Sequence, residues 1–178
     1  PRVSIIKGDW QKPRIELTFQ APELEHPDTP ALDLAAFALG SGELSRLSRR
    51  VRDQEGLVTA VSASVFAPRF GGLFEVSAFT TEETIDRAVE ALARETIRLQ
   101  EVEPVNSDEL ARARANLKAD RIYRDETVDG QARSLGFGLR TTHKLVYDDL
   151  YTAQINALPD AQIARAIKRW LQPSNCLL

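Results

Sequence analysis

The sequence of 178 residues contains no methionine, one cysteine, Cys176, and two histidines, His26 and His143. A single cysteine cannot close an internal disulfide, so a small disulfide scaffold is excluded. The lack of methionine leads to the expectation that the chain is processed or is a segment of a longer protein. Pro1-Arg2-Val3-Ser4 lacks the apolar stretch of a signal peptide. No apolar run approaches the roughly 20 residues of a membrane span. A net charge of −3 argues against a large electropositive nucleic-acid surface. What is present is ordinary for a soluble domain: 43% hydrophobic and 28% charged residues. A chain of this length buries roughly 70% of its unfolded surface, enough for a core without staples.

Alternation is clearest from Arg14 to Gln20, where Ile15, Leu17 and Phe19 interleave with Arg14, Glu16, Thr18 and Gln20. That is the period of a half-buried strand. Val3 to Lys7 has strand composition but is short. A polar, proline-containing loop follows, and Pro30, with Thr29 as its cap, opens a helix bearing Leu32, Ala35, Ala36 and Leu39. Gly40-Ser41-Gly42 ends it. A second, arginine-rich helix spans about Leu44 to Gln54, closed by Gly56. Leu57 to Ala67 and Gly72 to Phe79 read as two strands joined by a hairpin at Pro68-Arg69-Phe70-Gly71. Thr80 and Glu83 have capping-box spacing before a helix with Ile85, Val89, Leu92 and Leu99 as its stripe. Glu83–Arg87 and Glu90–Arg94 are i,i+4 pairs on its wet side. Ser107 is expected to cap a long helix to about Tyr123, resuming from Val128 to Leu139. Helices Tyr147 to Leu158 and Asp160 to Leu171 close the chain, and the final residues read as a strand or linker. The order predicts an α+β fold: a two-layer domain, mainly antiparallel sheet with helices packed on one face. No repeat or internal linker is visible, so residues 1–178 are read as a single domain.

The chemistry-bearing residues are sparse. Glu25-His26 matches the end of an H-x-x-E-H motif, but Pro22 stands where the first histidine belongs, and the segment is a proline-rich loop. A helix is needed to aim both imidazoles at one zinc ion. His143 has no carboxylate neighbour in sequence, and no G-x-S-x-G elbow is present. Leu39-Gly40-Ser41-Gly42 lacks the lysine and spacing of a phosphate loop and joins two helices, which suits a helix C-cap. The arginines from Arg46 to Arg52 and Arg112 to Arg124 alternate with acids such as Asp53, Glu55, Asp108 and Asp120, a pattern of mixed solvated faces.

Several segments carry a family resemblance. They are His26-Pro27-Asp28-Thr29-Pro30-Ala31-Leu32, then Leu39-Gly40-Ser41-Gly42 with Ser45-Arg46-Leu47, then Arg52-Asp53-Gln54-Glu55-Gly56-Leu57-Val58. Asp108-Glu109-Leu110-Ala111-Arg112-Ala113 and Gly130-Gln131-Ala132-Arg133-Ser134-Leu135-Gly136 extend them. Together they resemble the insulinase, pitrilysin and mitochondrial-processing-peptidase family of zinc metallopeptidases. The family pattern is D-x-x-A-L, L-G-x-G-x-x-S-R-L and L-R-[ED]-x-x-G-L-A-Y.

The resemblance implies a processing-peptidase-like fold and a non-catalytic second domain of one half of a bowl-shaped peptidase. It implies no metal and no catalytic residue in this chain, with zinc held by the catalytic domain of the parent or a partner chain. There the metal would polarise the scissile carbonyl and activate water. The implied partners are peptide or unfolded protein and that catalytic domain, in cis or in trans, with no nucleic acid and no membrane span. A periplasmic location is expected from bacterial relatives. In the family's substrate-binding half an arginine and a tyrosine seven residues apart contact peptide. Arg52 matches the arginine, and the tyrosine position is Thr59. Arg52 is therefore a candidate peptide contact; the alternative is a salt bridge or a helix C-terminal interaction. Strand Arg14 to Gln20 is a candidate edge for peptide pairing. Other readings stay open: a structural, assembly or peptide-binding module whose parent has lost peptidase activity, or an independent enzyme with an unrecognised site.

Overall fold

Alternating side chains build the first strand. In the computed structural model, which describes residues 2–100 and 103–178, β1 (Arg14–Ala21) buries Ile15, Leu17, Phe19 and Ala21 and turns Arg14, Glu16 and Gln20 to solvent. Strands β2 (Ala60–Phe66) and β3 (Gly72–Phe79) form an antiparallel hairpin, with Gly71 at φ +70° in its turn. That left-handed value favours glycine. A fourth strand, β4 (Cys176–Leu177), completes the sheet in the order β2-β3-β1-β4. The Cys176 end is thus a strand, as one reading of the sequence had it.

Two expectations are corrected here. Residues Val3 to Lys7 form no strand of their own; they are exposed. Backbone bonds from Arg2–Ser4 tie this segment down, in parallel against the chain's other end: Arg2 N–H to Cys176 O (3.0 Å), Ser4 N–H to Leu178 O (2.8 Å) and Leu178 N–H to Arg2 O (2.8 Å). Nor is β1 a free edge over its whole length. It lies between β3 and β4, which pairs with it at Thr18 and Phe19, while no strand among the described residues pairs with the outer side of β2. Alternation reports which face of a strand is buried, and carries no information on its neighbours.

Helix α1 (Thr29–Gly40) crosses the covered face. Ala31, Leu32, Leu34, Ala35, Leu39 and others are buried all round it, so it is the hub of the core rather than a one-sided cover. Gly40 lies so close to β2 that a Cβ there would meet the Ala63 backbone nitrogen at 2.4 Å. Asp28, not Thr29, occupies the cap position, and the Thr29 hydroxyl donates to Glu23 O (2.7 Å). Helices α3 (Ser107–Asp125), α5 (Tyr147–Ala157) and α6 (Asp160–Trp170) pack on the hub, α4 (Val128–Thr142) packs on α3 and α5, and α2 (Ile85–Arg98) packs on β1 and the segment Ser48–Gln54.

Local signals set several helix ends. The cap of α3 is Asn106, one residue before the expected Ser107, in a full capping box with Glu109. Helix α2 starts after Thr84 with no side-chain cap, so the Thr80–Glu83 box is not formed. Its Arg94 pairs with Glu55 and Glu95 rather than with Glu90. The arginine-rich segment is wound as a π-helix over Ser48–Gln54, with Glu55 N–H reaching back to Arg50 O. The wider turn leaves Leu47 and Val51 buried.

Candidate functional site

A cleft of about 700 Å³ opens between α1, the β2–β3 hairpin and helices α3, α4 and α5. Its apolar walls come from Phe37, Val65, Phe66, Leu117, Phe137 and Tyr151, among others. Phe66 and Phe137 remain 59% and 48% exposed, so aromatic surface lies open along it. The Tyr147 and Tyr151 rings stack at 5.8 Å, with Phe137 edge-on to Tyr147 at 6.4 Å. Such ring geometries are favourable beyond their area burial. The cleft is within the range of small-ligand and peptide pockets. Nothing in the sequence pointed to it, because its walls come from segments far apart in the chain.

Asp33, on α1, faces this cleft and accepts a hydrogen bond from the Tyr151 hydroxyl. Burial pushes its carboxyl up from the ordinary 3.8 to about 7. Burial, followed by the charges of Asp33, Asp148 and Glu25, likewise pushes the Tyr147 phenol up. A carboxyl that is harder to ionise in the fold than in the unfolded chain destabilises the fold once it must ionise. Stability should therefore fall as pH rises from about 4 through about 7, then level off. Asp33→Asn keeps an acceptor for Tyr151 and cannot ionise. We expect it to melt with the wild type at pH 4 and above it at pH 8, by at least about 1 kcal/mol or roughly 2–4 °C. Thermal melts across that range test this, and a difference that does not change with pH would contradict it.

Arg52, the residue singled out from the sequence, lies at the surface of the π-helical segment. Its guanidinium donates to Glu43 (2.6 Å) and to Asp53 (2.7 Å). Those bonds hold the Glu43 and Asp53 carboxyls below their ordinary values and raise the guanidinium. Thr59 does not join it: its hydroxyl donates to Phe79 O at 3.3 Å.

Of the neighbouring arginines, Arg49 is exposed as a solvated face requires, but Arg46 and Arg50 are not. Arg46 is 4% exposed and donates two bonds to Glu109 (2.7 and 2.6 Å) and one each to Glu103 O (2.5 Å) and Pro104 O (2.8 Å). Arg50 bridges buried Glu95 and half-exposed Glu103. Burial is the largest single influence on Glu109 and opposes its ionisation, but the Arg46 hydrogen bonds, the Asn106 N–H and the charges of Arg46 and Arg112 together outweigh it and hold the carboxyl below its usual range.

Each histidine has a local task. His26 Nδ1 accepts from Asp28 N–H (3.0 Å), and its ring sits edge-on to Trp170 at 5.7 Å. His143 caps α4 in the left-handed region, at φ 59°. Among the described residues, no group of three or more His, Cys, Asp or Glu side chains is placed to hold a metal ion. None of their helices is long and apolar enough to cross a membrane.

Comparison with known proteins agrees with this architecture. The chain is 25% identical over 134 residues to an uncharacterized zinc protease of Rickettsia felis. That match covers 75% of this chain and 32% of the relative, so the chain spans about a third of that protein. Among solved structures, a peptidase M16 inactive domain from Pseudomonas fluorescens superposes with a TM-score of 0.87 at 19% identity, over 99% of this chain and 42% of that one. The inactive peptidase domain of a candidate zinc protease from Bordetella parapertussis superposes with a TM-score of 0.82 at 20% identity, over 97% of this chain and 93% of the other. At such identities these likenesses show a shared fold. The family described as the Peptidase M16 inactive domain has a sequence model that matches residues 1–117, and by that match over most of its length this chain belongs to the family.

Proposed function

We propose that residues 1–178 form one non-catalytic domain of a zinc-dependent endopeptidase, which walls a peptide chamber and docks on the zinc-bearing catalytic domain. The match to an inactive-domain family carries the reading. The layer order supports it. Helices cover one face of the sheet, while the other exposes Arg14, Glu16, Ser62, Ser64 and Phe79. The β2 edge is unpaired in the sheet. An open face with a free edge can wall a chamber and lend backbone hydrogen bonds to an extended peptide. Arg52, beside these strands in sequence, is the proposed polar contact, exchanging Glu43 or Asp53 for a peptide carboxylate.

The test is turnover of an unfolded protein by the parent enzyme with and without this domain, at saturating zinc. Removal should cut kcat/KM at least tenfold, a loss of about 1.4 kcal/mol of transition-state stabilisation. Undiminished turnover by the remainder would overturn the reading. A parent with no zinc-dependent turnover at all would place the domain in an assembly instead.

A further inference from the structure

We propose that the cleft between α1, the β2–β3 hairpin and α3–α5 binds a peptide segment in which large apolar residues are followed by a carboxylate. This deepens the peptide-contact reading above and rests on it. Three observations converge. The first is shape and polarity: about 700 Å³, with open aromatic surface from Phe66 and Phe137 and the stacked pair Tyr147–Tyr151. Burying an exposed aromatic side chain against such walls is favoured by the hydrophobic effect.

The second is charge. Six basic residues line the cleft (Arg69, Arg114, Lys118, Arg121, Arg124, Arg133) against three acids, Asp33, Asp120 and Asp148. Four of the basic residues are already held. Arg114 donates to Ile155 O and Leu158 O, and Arg121 to Asp148 O, Thr152 and Asp149. Arg124 donates to Ser134 and Asp148, and Arg133 to Asp129. Lys118 and Arg69 have no carboxylate partner among the described residues, and Arg69 only covers the Phe70 ring at 5.5 Å. Of the acids, Asp148 is paired with Arg124 and Asp33 is drawn toward its neutral form, which leaves Asp120 against both Lys118 and Arg69. The surplus at the cleft is cationic, and it selects an anion.

The third is continuity. The lining includes Val65 to Arg69, the end of β2 and its turn. A chain paired along the free β2 edge would run into the cleft, which commits the occupant to a peptide rather than a small amphiphile. Helices α4 and α5 supply much of the opposite wall, from residues beyond the stretch matched by the family model.

Fluorescence anisotropy with the 178-residue chain and three labelled peptides tests the proposal: apolar–acidic, the same apolar segment with a basic end, and an acidic peptide without apolar residues. The apolar–acidic peptide should bind at least about tenfold tighter than either control, or about 1.4 kcal/mol. Lys118→Glu, at an exposed position, should abolish that preference while circular dichroism stays unchanged. Amide chemical shifts should move at Val65, Phe66, Ala67, Arg69, Leu117 and Tyr151. Equal binding of the acidic and basic peptides, or shifts confined elsewhere, would overturn the proposal. So would displacement of the peptide by dodecanoate at far lower concentration, which would make the site an amphiphile pocket. The domain-deletion experiment reads independently of these results, so the cleft can fail while the chamber-wall reading stands.

Discussion

Replacing Arg46 with alanine is expected to cost about 3–5 kcal/mol of stability, the range for removing one partner of a buried ion pair. The side chain is almost wholly enclosed and satisfies both Glu109 oxygens and the carbonyls of Glu103 and Pro104. Without it, Glu109 keeps only the Asn106 N–H (2.9 Å) while remaining partly desolvated, and two carbonyls lose their donor. Arg46→Lys should recover only part of the loss, because an ammonium cannot present two parallel donors to one carboxylate. The cost should also shrink in acid. Glu109 is depressed in the fold, so its contribution is present above its unfolded pKa and vanishes as pH falls through the folded value. Urea titrations at pH 7 and pH 3 measure both features. A loss below about 1 kcal/mol at pH 7 would mean the bridge is no stronger than a surface pair.

Phe74→Ala is expected to be equally severe, at about 3–5 kcal/mol. Phe74 is fully buried on β3 and meets Phe19 of β1 edge-to-face, with ring centres 6.4 Å apart at 77°. The two residues are also directly paired across the strands. Truncation removes one ring from the sheet's inner face and strips the other of its contact, leaving a void that α1, enclosed on all sides, cannot move to fill. Phe74→Leu, which retains most of the volume, should lose markedly less. Urea midpoints read at constant slope separate this packing loss from a change in the unfolded chain.

These two positions show how unevenly a sequence displays its structure. Phe74, Val76 and Ala78 share one face of β3 because side chains alternate, and that period is visible in any stretch of residues. The hairpin, the helices and the α+β order follow from equally local signals. Arg46 is different. In sequence it resembles Arg49 and Arg52, and all three suggest a wet face. Burial of Arg46 depends on Glu109, 63 residues away, and on the carbonyls of Glu103 and Pro104. The same limit explains why β1 reads as an edge: its neighbours are β3 and a strand of two residues at the far end of the chain. It explains the cleft as well, since Asp33 and Tyr151 meet across 118 positions. Family resemblance pointed to the non-catalytic architecture and to Arg52, whose visible partners are its own neighbours. It had nothing to say of Asp33 or Lys118.

The pairing of Arg2–Ser4 with Cys176–Leu178 bears on how this domain carries mechanical load. The two segments run parallel, so pulling Arg2 and Leu178 apart drags one strand along the other instead of peeling it away. The three hydrogen bonds between them would stretch together, in shear, and the first of them could not break alone. Tension applied at these two points would meet a clamp before it reached β1 and the core.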